Sequence, residues 1–141
     1  MVGNQGSGKS CSLNCLIEDL KIDNNWIKLK ELNKKDMRNL NLPIVGDPED
    51  RVVIFKNKST QKIVGISTSG DNTEIVFRGL KYLNDEKVDV AIIASHKLTL
   101  KYFITRFEPL TIEIGTHDIP DQKLHDQMNS KNSKIIQSLI N

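Results

Sequence analysis

Apolar residues recur at spacings of three and four along the first part of the chain. Leu13, Leu16, Ile17 and Leu20 predict one face of a helix over Ser10 to Leu20. A second helix is predicted around Ile27–Met37, on Ile27, Leu29, Leu32 and Met37, ending before the Leu42-Pro43 step. "LPIVGDPED", with two prolines, reads as a loop. Two short apolar runs follow, "RVVIF" (51–55) and "QKIVGIST" (61–68), joined by the polar "KNKST". So close a pair predicts an antiparallel hairpin. "SGDN" (69–72) then opens a helix faced by Ile75, Val76, Leu80 and Leu83 that ends near Asn84. "VDVAIIAS" (88–95) has the length and apolarity of a strand buried on both faces. Beyond it come a helix over Lys97 to Phe107 and a strand "LTIEIG" (110–115). A last helix over Ser130 to Ile140 starts as early as Gln122.

Strands alternating with helices predict an α/β fold with a mainly parallel sheet, helices on both faces and one antiparallel hairpin. In such a sheet, ligands gather beyond the carboxyl ends of the strands. The 141 residues, 38% of them hydrophobic, suffice for one domain over residues 1–141. A net charge of +2 is too small to argue for nucleic acid or an anionic membrane. Aromatic residues at 5% give no stacking platform for single strands, so nucleic acid is not indicated. No apolar run approaches the roughly 20 residues of a membrane span. The glycine-rich start lacks the apolar segment of a secretory signal. A cytoplasmic protein without membrane partners is expected. Cys11 and Cys15, four apart on the first helix, are expected as small buried thiols.

The chemistry concentrates at residues 3 to 10, G-N-Q-G-S-G-K-S, which fit the spacing G-x-x-x-x-G-K-[ST]. Glycines 3, 6 and 8 let the backbone approach phosphate oxygens closely. The N–H groups of Gly6 to Ser10 can form an anion nest, and the helix after them aims its positive end at the same place. Lys9 would reach the β- and γ-phosphates, and Ser10 would ligate the bridging Mg²⁺. A chance match in a chain this long arises on the order of once in 200 sequences at average composition.

Gly3 to Ser10 resembles the Walker A motif of the P-loop NTPase superfamily. The resemblance implies a three-layer fold that binds ATP, or another nucleoside triphosphate, with Mg²⁺. It assigns Gly3, Asn4, Gln5, Gly6, Ser7, Gly8, Lys9, Ser10 and Cys11 to the nucleotide, with Lys9 also catalytic. It leaves any acceptor or protein partner unnamed. The strand that normally precedes such a loop is cut to Met1 and Val2, so a truncated first strand is expected. A natural chain beginning further upstream would account for it. The alternative is a short strand held by the "VDVAIIAS" and "KIVGIST" strands.

P-loop enzymes also use a carboxylate at the end of a neighbouring strand. Asp71 is the first candidate, as a metal-side and catalytic residue; its structural alternative is an N-cap of the following helix. Asp47 and Glu113 are weaker candidates, and Asp89 lies at the wrong end of its strand. Ser95 and His96 end the best apolar strand, where a polar group can meet a γ-phosphate or an attacking water. Arg78 and Arg106 are candidate charge stabilisers, and "GTHD" (115–118) a weak base pocket. ATP hydrolysis leads. Phosphotransfer to a nucleoside, nucleotide or other small molecule is the alternative. A GTPase is disfavoured: Ser67 stands where such proteins carry aspartate before Gly70, and "ASHK" replaces their guanine-reading motif.

Overall fold

The computed structural model describes residues 1, 8–40, 50–70, 72–96 and 121–141. In chain order they form α1 (Lys9–Ile22), β1 (Trp26–Leu32), α2 (Lys34–Asn39), β2 (Val52–Asn57), β3 (Ile63–Ser67), α3 (Thr73–Asp85), β4 (Val90–Ile93) and α4 (Gln122–Ile140). The expected helix at 97–107 and strand at 110–115 lie outside the described residues.

The strands form one sheet in the order β1-β2-β3-β4. β1 pairs antiparallel with β2, β2 antiparallel with β3, and β3 parallel with β4. The expected mainly parallel, three-layer P-loop architecture is therefore corrected. Among the described residues the sheet is mixed, and antiparallel pairings outnumber the parallel one. The cause is local. Residues 27–32, expected in a helix, belong instead to the edge strand β1, and only the short α2 follows.

A bulge hides this strand in the sequence. Lys28 pairs with Phe55 and Lys30 with Ile54, so Leu29 is the extra residue. The bulge turns the strand over. Trp26 packs into the cluster on one face of the sheet, and Leu32 packs against the cluster on the other. Neither a period of two nor a period of 3.6 describes that pattern.

The hairpin of β2 and β3 forms as expected. The Asn57 side chain accepts from the Ser59 and Thr60 amides and fixes its turn. Alternation along both strands feeds two cores. Val53, Phe55, Val64 and Ile66 meet Leu13, Leu16, Ile17 and Leu20 of α1 and Ile136 and Ile140 of α4. Val52 and Ile54 turn the other way, towards Met37 of α2 and Leu83 of α3. Phe55 is fully buried, and a side chain of that class contributes roughly 1.5–3 kcal/mol by leaving water. β4 is less enclosed than its sequence suggested: Ala91 is exposed, and Val90 and Ile93 are half-buried.

Met1 continues the sheet. Its amine donates to the Ile93 carbonyl at 2.7 Å, and its carbonyl accepts from the Ser95 amide at 2.8 Å. That is the pattern of one parallel bridge to Ala94, on the edge of β4 away from β3. The expected stub of a first strand thus rests on β4, not between β4 and β3.

α1 and α4 are joined by polar groups as well as by their apolar faces. Asp19 accepts from the Ser133 hydroxyl at 2.6 Å and from the Gln137 amide at 3.1 Å. Ser12 donates to Asn129 at 2.9 Å and accepts from Asn132 at 3.1 Å.

Candidate functional site

α1 begins at Gly8, whose φ of 81° is left-handed backbone suited to glycine. The Gly8 carbonyl accepts the Ser12 amide at 2.9 Å, closing the first turn. Gly8 itself makes no side-chain cap, and the first turn of the helix carries no acidic residue. The positive end of the α1 dipole is therefore uncompensated by any carboxylate of its own turn.

The helix delivers Lys9 and Ser10 to the carboxyl ends of β3 and β4. Lys9 is 7% exposed. Its charge reaches the Met1 amine, whose pKa is lowered to about 6, first by burial and then by Lys9. The Ser10 hydroxyl donates to the Thr68 carbonyl at 3.0 Å, just past the end of β3. A hydroxyl has a single proton, so this bond leaves the Ser10 lone pairs for a cation.

Thr68 is itself clamped. Its hydroxyl donates to Asp50 at 3.0 Å and accepts from the Arg51 amide at 3.0 Å. Its own amide donates to the Arg51 carbonyl at 3.1 Å. Asp50, Ser67, Thr68, Ser69 and Ser95 are all buried. Gly70 closes this end: a Cβ there would lie 2.2 Å from the Ala94 carbonyl oxygen. A buried polar cluster thus lies where parallel strands end and a helix begins, the region where open α/β sheets bind ligands.

Arg51 braces the cluster from the side. It donates to Asn14 at 2.7 Å and pairs with Glu18 at 2.8 Å and Glu31 at 3.0 Å, linking α1, β1 and β2. Lys28, with further help from Lys21 and Arg51, holds the Glu31 carboxyl down to about 2, against the cost of its partial burial.

Several expected site residues lie outside the described residues: Gly3, Asn4, Gln5, Gly6, Ser7 and Asp71, together with Asp47, Glu113, Arg106 and 115–118. The cap once open to Asp71 is made by its neighbour, because the Asn72 side chain accepts the Ile75 amide at 3.0 Å. Asp89 sits at the opposite end of the sheet, as expected, accepting the Ile63 amide at 2.7 Å. Ser95 donates to the His96 carbonyl at 3.1 Å. Arg78 is exposed and pairs with Glu74 on its own helix. The thiols depart from expectation: Cys11 is exposed and Cys15 half-buried. They flank the apolar stripe of α1 and do not belong to it. Burial and the nearby Asp19 raise the Cys15 thiol above its ordinary range.

Asp50 and Thr68 were missed in the sequence. The hairpin register held the signal. Val52 pairs with Ser67, so two steps further Asp50 comes level with Ser69. The start of β2 therefore had to meet the end of β3.

Ser10, the Thr68 carbonyl and Asp50 offer hard oxygen donors, the chemistry Mg²⁺ prefers. Among the described residues no three His, Cys, Asp or Glu side chains cluster. A shallow groove of about 750 Å³ runs along α4 past Lys123, Ser130, Lys134 and Ile135, and none of the residues around Ser10 lines it. Among the described residues no helix is long and apolar enough to cross a membrane. No protein-family model matches this chain, and no curated protein or solved structure matches it either.

Proposed function

We propose that this is a cytoplasmic domain that binds Mg²⁺ with a nucleoside triphosphate, ATP first, at the amino end of α1, and hydrolyses it. The observation that carries the reading is the placement of Ser10 beside the buried Lys9. The Ser10 proton is spent on Thr68, and its lone pairs remain at the carboxyl end of β3. Lys9 adds a positive charge to the positive end of a helix, an arrangement suited to an anion.

In this reading Lys9 draws the β- and γ-phosphates onto the first turn of α1. Ser10 holds the cation side of the phosphates. The bound Mg²⁺ supplies neutralisation of charge that grows on the phosphate oxygens as the terminal phosphoryl leaves. Ser95 and His96, at the end of β4, are the groups placed to meet an attacking water.

Thermal unfolding with ATP and GTP, each with Mg²⁺, tests the reading. Ligand at 100 times its Kd adds about 2.7 kcal/mol. For a chain of this size that raises Tm by roughly 5–10 °C. Lys9→Ala should abolish the rise while leaving the unliganded Tm within a few degrees. If no triphosphate stabilises the wild-type protein, the reading is wrong. Release of inorganic phosphate from bound ATP separates hydrolysis from binding alone.

A further inference from the structure

We infer that the outer face of α4 docks an acidic amphipathic helix of a partner protein. The inference goes beyond the nucleotide reading and does not depend on it. Ser133, Ile136 and Ile140 turn one face of α4 inward, and Asn129, Asn132 and Gln137 bond to α1. The other face carries the groove of about 750 Å³. Among the described residues, all that line it belong to α4 itself.

Two features of this face point to one kind of occupant. The first is charge. Lys123, Lys131 and Lys134 are exposed along the groove, and none makes an ion pair among the described residues. On α3, by contrast, Arg78 and Lys81 are each paired with an acid one turn away. Asp126 is the one acid lining the groove among the described residues, and its carboxylate already accepts from Gln122 at 2.9 Å. Three lysines against one aspartate leave an excess of two positive charges, spread over about 16 Å of helix from Lys123 to Lys134. The second feature is apolar surface. Ile135 and Leu139, one turn apart, are 40% and 49% exposed, and Lys131 stands one turn before Ile135 on the same row. A cationic stripe that runs into an apolar step fits a helix with carboxylates along one edge and Leu or Ile near its end, laid along α4.

The same features disfavour other occupants. A second copy would bring the same positive excess to both sides of the contact. A bilayer needs a wider apolar stripe, and Ile136 and Ile140 are already buried in the core cluster with α1. Nucleic acid favours arginine and aromatic stacking, and neither residue type lines the groove among the described residues.

The probe is a synthetic helical peptide of about four turns, with Glu spaced along one edge as the three lysines are and Leu placed to meet Ile135 and Leu139. Its twin carries Lys for every Glu. Anisotropy of labelled peptide reads affinity for the full chain, and amide shifts read the contact surface. The Glu peptide should bind and shift amides within 123–139; the twin should not bind. Added salt should weaken the complex. Lys131→Glu with Lys134→Glu should weaken the Glu peptide by at least about tenfold and admit the twin. Both positions are exposed, so the fold should tolerate the change. Should the double variant fail to fold, Lys123→Gln reads the same affinity, with a loss of about two- to fivefold expected. The inference is overturned if the Glu peptide does not bind, if both peptides bind alike, or if removing the lysine charges leaves affinity unchanged. Binding to vesicles of phosphatidylcholine and phosphatidylserine in place of the peptide, or self-association through this face, overturns it equally.

Discussion

Replacing Gly70 by alanine tests the closure of the sheet's carboxyl end. An added Cβ would lie 2.2 Å from the Ala94 carbonyl oxygen, 2.5 Å from its carbonyl carbon and 2.9 Å from its Cβ. Ordinary contact begins at 3.4 Å, so the loop after β3 and the end of β4 must part by about 1.2 Å. The obstacle is mostly backbone, and no rotamer change relieves it. The Ala94 amide bond to the Ser67 carbonyl is already 3.3 Å long, and such a displacement would break it. Losing a buried backbone pair costs about 1–3 kcal/mol, and overpacking strain adds about 1–3 kcal/mol. A total of about 2–4 kcal/mol is expected once part of the strain is relieved by that separation. In urea, with a slope near 1–3 kcal/mol per molar, the midpoint should fall by roughly 1–2 M at unchanged slope. Gly65→Ala is the control. Its Cβ would meet Leu83 Cδ2 at 2.5 Å, the far end of a side chain that can turn aside. Its cost should be the smaller of the two. A midpoint shift under about 0.3 M for Gly70→Ala would refute the reasoning, because the two segments would then not be in contact.

Three other perturbations probe the scaffold. Glu31 has its folded pKa lowered to about 2 from 4.5, so it stabilises the fold above pH 4.5 and loses that contribution as pH falls towards 2. Its quarter exposure screens the pairs, so Glu31→Gln should remove about 1–2 kcal/mol at pH 7 and nearly nothing at pH 2, read by urea unfolding across that window. Ser133→Ala leaves Asp19 with one hydrogen bond fewer at the α1–α4 contact and should cost about 1–2 kcal/mol in the same assay. Lys87 ends α3 in left-handed backbone at φ 57°, so Lys87→Gly should raise stability by about 0.5–1 kcal/mol, and a loss would show the strain to be absent.

Most elements legible in the sequence share one property: a sustained period. α1 and α3 keep their apolar spacing along most of their length, and β2 and β3 sit either side of a polar turn, whereas in α4 only Ile136 and Ile140 of the expected face are buried and Ile135 and Leu139 are exposed. β1 breaks its own period at Leu29, and its Ile27 and Leu29 side chains stay exposed, so apolarity there misled. Reading that strand as a helix removed an antiparallel pairing and made the sheet look mainly parallel. The candidate site was visible in the sequence only as a contiguous stretch, of which Gly8, Lys9 and Ser10 are described. It was illegible where partners meet through pairing: Asp50 and Ser10 are 40 residues apart, and only the register of β2 with β3 brings them to one threonine. The exposed Cys11 shows a subtler limit, because a small residue on a helix can lie just off the buried stripe.

The polar seam between α1 and α4 bears on the order in which the molecule is assembled. Ser133 and Asp19 are 114 residues apart. Closing a loop of that length carries an entropic cost that contacts repay only after both helices exist, so such pairings form late. During synthesis the hairpin and α3 can settle while α4 is still unmade. Until α4 arrives, Leu13, Leu16, Ile17 and Leu20 lack their partners Ile136 and Ile140. The helix that presents Lys9 and Ser10 then rests on the sheet alone, through Val53, Phe55, Val64 and Ile66, so its final seating should be among the last contacts the growing chain makes.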